Sequence, residues 1–185
     1  MNSVELLIHE HDNILQMLDV AHNASLRVLA GETPDVSDFR KMIGFIRNYA
    51  DKTHHGKEEE FLFKEMVEHL GGIGDNLIRH GMLVEHSLGR LYVSELDDAL
   101  TAYEAAPSAE SRLAILVSAG SYVNLLRRHI DRENGVVFSF GQNNLPAEAM
   151  ERVEAQTTAF ENDPENAAER EKQLAILDEL KQKYA

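Results

Sequence analysis

The 185-residue chain has no cysteine, which excludes disulfides, thiolate zinc sites, iron–sulfur ligation and thiol catalysis. Whatever chemistry it performs must use nitrogen and oxygen. Positive charge is also scarce: 18 Lys and Arg stand against 32 Asp and Glu, a formal charge of −14 that repels phosphate backbones and anionic membrane surfaces. Neither nucleic acid nor membrane is an expected partner. No stretch approaches the ~20 apolar residues of a membrane span. Residues 1–11 carry neither a basic leader nor a long apolar core, so a soluble, cytoplasmic protein is expected. Period-two alternation rich in β-branched residues is missing as well, which argues against strands. The length suits one domain with its own core. What the chain does have is histidine, nine in all and none in a terminal run.

Apolar residues recur at helical spacing in four long segments, so an all-α protein is predicted. The first segment, about 3–29, carries Val4, Leu7, His11, Ile14, Leu18 and Ala21 on one stripe and stops at Gly31 before Thr33-Pro34. The second begins near Asp35 or Ser37, presents Phe39, Ile43, Ile46, Ala50, His54, Glu58 and Phe61, and ends before Gly71-Gly72. That Gly71-Gly72-Ile73-Gly74 stretch reads as a loop; it lacks the Lys-Ser/Thr of a phosphate-binding loop. The third, about 75–105, has Ile78, Met82, His86, Gly89, Val93 and Leu96 in register. The fourth, about 109–134, aligns Ile115, Ala119, Tyr122, Leu126, His129 and Glu133, and a loop is expected from Gly135 through Gly141 to Pro146. Two weaker amphipathic stretches follow, about 147–160 and 165–184, broken at Asp163-Pro164. The expected organisation is a four-helix bundle over 1–142 and a helical extension over 143–185 packed on it.

The chain repeats itself. Glu10-His11 resembles Glu85-His86, and His54-x-x-x-Glu58-x-x-x-x-Phe63 resembles His129-x-x-x-Glu133-x-x-x-x-Phe138; both matches need the same shift of 75 residues. Within each half the two histidines lie 43 apart. A helical hairpin used twice gives an up-down-up-down bundle with approximate two-fold symmetry and corresponding histidines facing one another.

Residues four apart share a helix face, so His54 with Glu58, and His129 with Glu133, can each direct an imidazole and a carboxylate to one place. The neighbouring pair, His55 with Glu59, has the same spacing. Tracing back from His54 meets Ala50, Ile46, Ile43 and Phe39, whereas tracing back from His55 meets Asp51, Asn48 and Gly44. His54 and Glu58 are therefore assigned inward, and His55 and Glu59 to the solvated face. His11, His54, His86 and His129 all fall on apolar stripes. One such histidine alone would read as a core imidazole hydrogen-bonded to a neighbour. Two buried carboxylates among four imidazoles are a different matter, because ionised groups without partners are costly and a central dication relieves them. Imidazole and carboxylate without sulfur suit iron, manganese or zinc, and two shared carboxylates favour a dinuclear centre.

Competing motifs fail at specific residues. A His-Glu-x-x-His protease signature beginning at His9 would need a histidine where Asn13 stands. Ferritin-like bundles use Glu-x-x-His, the reverse order at a spacing of three. No serine occupies a nucleophile elbow. His80 falls off its stripe, His22 lies about 16 Å along the axis from His11, and His9 and His69 read as surface residues. Tyr122, seven before His129, is open between a donor to the site and core packing with its hydroxyl satisfied elsewhere; the latter is favoured.

Glu10-His11-Asp12-Asn13-Ile14, His54-His55-Gly56-Lys57-Glu58-Glu59-Glu60-Phe61-Leu62-Phe63, Met82-Leu83-Val84-Glu85-His86 and His129-Ile130-Asp131-Arg132-Glu133-Asn134 together resemble the hemerythrin-like family, the His-His-Glu cation-binding domain, over about residues 3–140. The resemblance implies two irons in the bundle, with His11, His54, His86 and His129 as terminal ligands and Glu58 and Glu133 bridging. Oxygen-carrying hemerythrins have a further histidine where this chain has Met82, and an aspartate five residues after the last histidine where this chain has Glu133 at four. The four-His, two-Glu set is more similar to di-iron proteins implicated in iron–sulfur cluster repair and nitric oxide responses, whose N-terminal cysteine domain is absent here.

The expected function is binding of, or reaction with, a small diatomic ligand (O2 or NO) or peroxide in storage, sensing or stress response. Carriage, sensing and redox turnover share this ligand set and differ in pocket dryness and reductant access. The alternatives are a metal-stapled interaction module, whose C-terminal helices bind a partner or a second copy of the chain in a homodimer, and a metal store without gas chemistry.

Overall fold

A computed structural model of the chain describes residues 1–184, and among them every regular element is helical. Six continuous helices follow one another: α1 (Ser3–Leu29), α2 (36–69), α3 (71–105), α4 (109–144), α5 (Ala147–Asn162) and α6 (Pro164–Tyr184). None is long and apolar enough to cross a membrane.

Local chemistry sets the boundaries. Asn2 caps α1 in a reciprocal box with Glu5, Asp35 caps α2 at the Asp38 amide, and Ser108 caps α4 in a box with Ser111. α1 ends where Gly31 adopts φ +108°. The break between α2 and α3 is a single residue, Leu70, followed by Gly71 at φ +58°. The loop expected over Gly71-Gly72-Ile73-Gly74 is thus absent, because all four residues already belong to α3. Gly74 is there for close packing: a Cβ would lie 2.5 Å from the Met66 carbonyl oxygen. The loop expected from Gly135 is absent too, as α4 continues through Gly135 and Gly141 to residue 144. Gly141 is buried against Met66, whose Sδ would lie 3.1 Å from an added Cβ.

The buried apolar side chains form two clusters. One gathers Ile14 to Val28 of α1, Phe39 to Ala50 of α2, Val93 to Tyr103 of α3 and Ile115 to Ile130 of α4, closed by Leu177, Leu180 and Tyr184 of α6. The other gathers Val4 and Leu7, Leu62 to Met66, Ile78 and Met82, and Val137 and Phe138, closed by Leu145 and by Ala149 and Val153 of α5. Successive helices run through these clusters in alternating order, the up-down-up-down arrangement. In α1, α2 and α3 the site histidines fall in the gap between the clusters; in α4 Glu133 does, with His129 at the edge of the gap beside Ile130. The apolar layers above and below are what make this gap water-poor.

Four stretches wind with π-type turns: Ile46–His55 and Glu58–Leu62 in α2, Ile78–Met82 in α3 and Glu133–Val137 in α4. Glu58–Leu62 and Glu133–Val137 are related by the 75-residue shift, so the repeat extends to this irregularity. Such turns widen a helix locally and re-aim side chains, and they concentrate at functional sites.

Candidate metal centre

His11, His54, Glu58, His86, His129 and Glu133 converge in the gap between the apolar clusters, and all six are buried. The imidazoles pair across the bundle, His11 Nε2 lying 2.8 Å from His54 Nε2 and His86 Nε2 lying 3.1 Å from His129 Nε2. Each carboxylate reaches both pairs. Glu58 places Oε1 3.3 Å from His54 Nε2 and Oε2 3.6 Å from His86 Nε2. Glu133 places Oε2 3.2 Å from His11 Nε2 and 3.1 Å from His129 Nε2, with Oε1 3.7 Å from His86 Nε2.

A second set of residues orients the rings. The Nδ1 of His11 lies 2.8 Å from Asn134 Oδ1, that of His54 2.9 Å from Glu10 Oε2, that of His86 2.7 Å from Glu59 Oε1, and that of His129 2.9 Å from Glu85 Oε2. With Nδ1–H donating outward, each Nε2 lone pair is left facing the centre, the tautomer a metal ligand needs. These partners obey the same 75-residue shift, Glu10 with Glu85 and Glu59 with Asn134. Sequence spacing flagged Glu10 and Glu85 as repeated but gave no means of matching them to His54 and His129 on other helices.

Behind the glutamates stand two cations, again repeat-related. Buried Lys57 pairs with Glu10, and also with Glu161 of α5 at 2.6 Å; Arg132 pairs with Glu85. Arg170 of α6 binds the other Glu161 oxygen. α5 and α6 thereby brace one histidine of the centre from outside the bundle.

The polar balance of the gap is incomplete without a cation. None of the four oxygens of Glu58 and Glu133 accepts a hydrogen bond, and a buried unpaired carboxylate costs several kcal/mol. The imidazoles respond accordingly. Burial alone would push His54 down, yet the Glu58 and Glu10 carboxylates override it and lift it to about 10; Glu133 and Glu85 likewise lift His129 to about 9. Glu133, despite full burial, is held well below the usual carboxylate range by His129, His11 and His86. Protons are standing in for a cation.

Two sequence assignments are corrected. His55 is buried, not solvated: its ring stacks on His86 at 3.8 Å between centroids and 10° between planes. Glu59 is half-buried and holds His86. The cause is the π-winding of Ile46–His55, which takes more residues per turn, so that a 3.6-residue face traced back through Asp51 and Asn48 no longer predicts where residue 55 points. Two groups of donor atoms, each within 4.8 Å of one another, result: His11, His54, Glu58 and Glu133, and His55, Glu58, His86 and His129.

On the His86 side a cavity of about 330 Å³ opens, lined by Asp51, His55, His86, Gly89, Arg90 and Tyr122 among others. Tyr122 was expected to satisfy its hydroxyl in the core. Instead the hydroxyl is buried with no partner, and the side chain forms part of the cavity wall. His9, His69 and His80 are exposed, as the sequence indicated, and so is His22, which the sequence placed on the face of His11 but too far along the axis to share the site.

Compared with known families, residues 2–140 match the hemerythrin HHE cation binding domain. The chain belongs to that family. Its match spans α1, α2, α3 and most of α4, the helices that carry the six converging residues. A search of the curated proteins finds no match. Family membership and the buried donor clusters together make this hemerythrin-family chain a metal-binding helical protein.

Proposed function

We propose that this hemerythrin-family protein holds two iron ions, with His11, His54, His86 and His129 as terminal ligands and Glu58 and Glu133 as bridges, and that the centre binds or reacts with dioxygen, nitric oxide or peroxide. The observation that carries the reading is the set of four buried carboxylate oxygens without a hydrogen-bond partner, each within 3.1–3.7 Å of an imidazole Nε2. Glu58 faces one nitrogen of each histidine pair, and Glu133 faces His11 of one pair and both His129 and His86 of the other, the disposition of a bridge. Manganese or zinc suits the same donors, but a diatomic-ligand role calls for iron.

Iron held here supplies Lewis acidity and accessible redox states at an open coordination position. The chain's own residues do the rest. Asn134, Glu10, Glu59 and Glu85 hold the four rings in one tautomer. The apolar layers keep bulk water away, which strengthens every electrostatic contact inside. The cavity beside His86 offers a route from solvent, and the unpartnered Tyr122 hydroxyl in its wall is a donor available to an incoming ligand. That cavity favours ligand chemistry over a purely structural staple, for which a closed, saturated site suffices.

The test is anaerobic loading with ferrous iron followed by metal analysis and an aerobic ultraviolet–visible spectrum. About two irons per chain and near-ultraviolet charge-transfer bands, both lost in His54→Ala and Glu133→Ala, are expected. Normally folded wild type that takes up no transition metal would refute the proposal.

A further inference from the structure

Gly89 lies inside a helix with no backbone or packing reason to be glycine. Its φ is not positive, and an added Cβ would meet Leu126 and Tyr122 only at ordinary contact distances. Glycine at such a position is unfavourable relative to alanine. Its counterpart across the 75-residue shift is Ile14, buried in the core. Neighbouring positions differ in the same sense: Val93 answers Leu18, Asp51 answers Leu126 and Arg90 answers Leu15. On the α1–α4 side these apolar side chains belong to the core or pack against it. On the α2–α3 side the same positions border the cavity of about 330 Å³ beside His86. Space that is filled in one half of the repeat is kept open in the other.

The size of that space decides what fits. About 330 Å³ is roughly ten times the ~30 Å³ share of one water in the liquid and lies within the ~300–1,000 Å³ of small-molecule sites, far more than a diatomic ligand fills. Ile46, Gly89 and Val93 make part of the wall apolar, and Tyr122 brings to it a buried hydroxyl with no hydrogen-bond partner. At the exposed rim the charges are already matched. Arg47 donates to Asp97 at 2.9 Å, and Arg90 donates to Asp51 at 2.9 Å and to Glu59 at 2.7 Å. With no charge left over at its mouth, the cavity suits a neutral occupant better than an ion.

We propose that the cavity receives a neutral organic molecule of about ten heavy atoms, an apolar body with a single oxygen head group, the body packed against Ile46, Gly89 and Val93 and the head accepting from the Tyr122 hydroxyl. The proposal deepens the function given above, on which it rests for the ions beside His86: of the peroxides, an organic hydroperoxide has this size and polarity.

The experiment titrates the full chain, zinc-loaded and again metal-free, with two unreactive probes, and reads binding from the nuclear magnetic resonance of the backbone amides. Cumyl alcohol has the shape of an arylalkyl hydroperoxide, and tert-butylbenzene replaces its hydroxyl by a methyl. Cumyl alcohol is expected to shift amides over residues 46–55 and 86–93, which include the lining of the cavity. It should bind about fivefold more tightly than tert-butylbenzene, the worth of one hydrogen bond. Tyr122→Phe should erase that difference, and Gly89→Leu should abolish binding of both probes. Ile46→Phe fills the cavity from α2 should Gly89→Leu fold poorly. No binding of cumyl alcohol, binding that survives both filling variants, or equal affinities of the two probes for wild type would overturn the proposal while leaving the dinuclear centre standing. Failure to take up zinc would count against the dinuclear reading alone, because the metal-free titration still reads the cavity.

Discussion

Lys57, with its ammonium almost wholly buried, sits on the same Glu10 carboxylate that holds the His54 ring. Its repeat counterpart Arg132 does the same for Glu85 and His129, but with a half-exposed side chain. The two cations thus perform one task in different dielectric surroundings.

Replacing Lys57 by Met strands Glu10 and Glu161 without their shared cation. Removing one partner of a buried pair costs about 3–5 kcal/mol, so Lys57→Met should lower the unfolding free energy by that order in urea titration. Arg132→Met faces solvent and should cost less than about 1 kcal/mol. Equal losses would mean that the burial of Lys57 does not set its contribution.

Metal and protons compete for the same nitrogens. His54 and His129, lifted to about 10 and about 9 from an ordinary 6.5, are protonated at neutral pH when no cation is bound. A histidine whose folded value is raised stabilises the fold fully below 6.5 and loses that contribution as pH climbs through the raised value. The metal-free protein should therefore lose thermal stability between about pH 6.5 and 10. Metal loading should remove most of that slope and release protons, measurable by calorimetry in two buffers of different ionisation enthalpy. A metal-free protein equally stable at pH 7 and 9.5 would contradict this.

Gly89 forms part of the cavity wall beside the centre. A Cβ there would meet Leu126 and Tyr122 at 3.5 and 3.7 Å, ordinary contact distances, so Gly89→Ala should be tolerated and gain up to about 1 kcal/mol of helix stability. Gly89→Leu should fill the cavity and slow azide association with the iron-loaded protein at least tenfold, with iron content unchanged. Stopped-flow absorbance reads the rate, and an unchanged rate would place the ligand route elsewhere.

Tyr122→Phe removes a buried hydroxyl that has no protein partner. Its loss should leave stability unchanged or raise it by about 1 kcal/mol, while bound azide should dissociate several-fold faster because a donor has gone. A destabilised variant would show that the hydroxyl is already satisfied, as core packing would require.

Much of this was legible along the chain. Helical periodicity marked the four bundle segments, and capping residues such as Asn2 and Ser108 stand at their starts. The 75-residue shift by itself pairs the histidines. The departures have two causes. His55 and Glu59 were assigned to solvent by extending a 3.6-residue face through Ile46–His55, where the helix winds more widely. Gly135 and Gly141 were read as breakers, but α4 runs through both, and at Gly141 the small residue serves the close approach of Met66.

Composition, periodicity and repeat determined by themselves that the chain is helical and that its histidines and glutamates come in matched sets, because these are properties of order along one dimension. Which carboxylate orients which ring, that Lys57 is enclosed by α5, and that His55 turns inward beside a cavity were decided only by tertiary structure. Those contacts join residues 27 to 123 positions apart, or depend on a local change in helix winding, and neither leaves a periodic trace in the sequence.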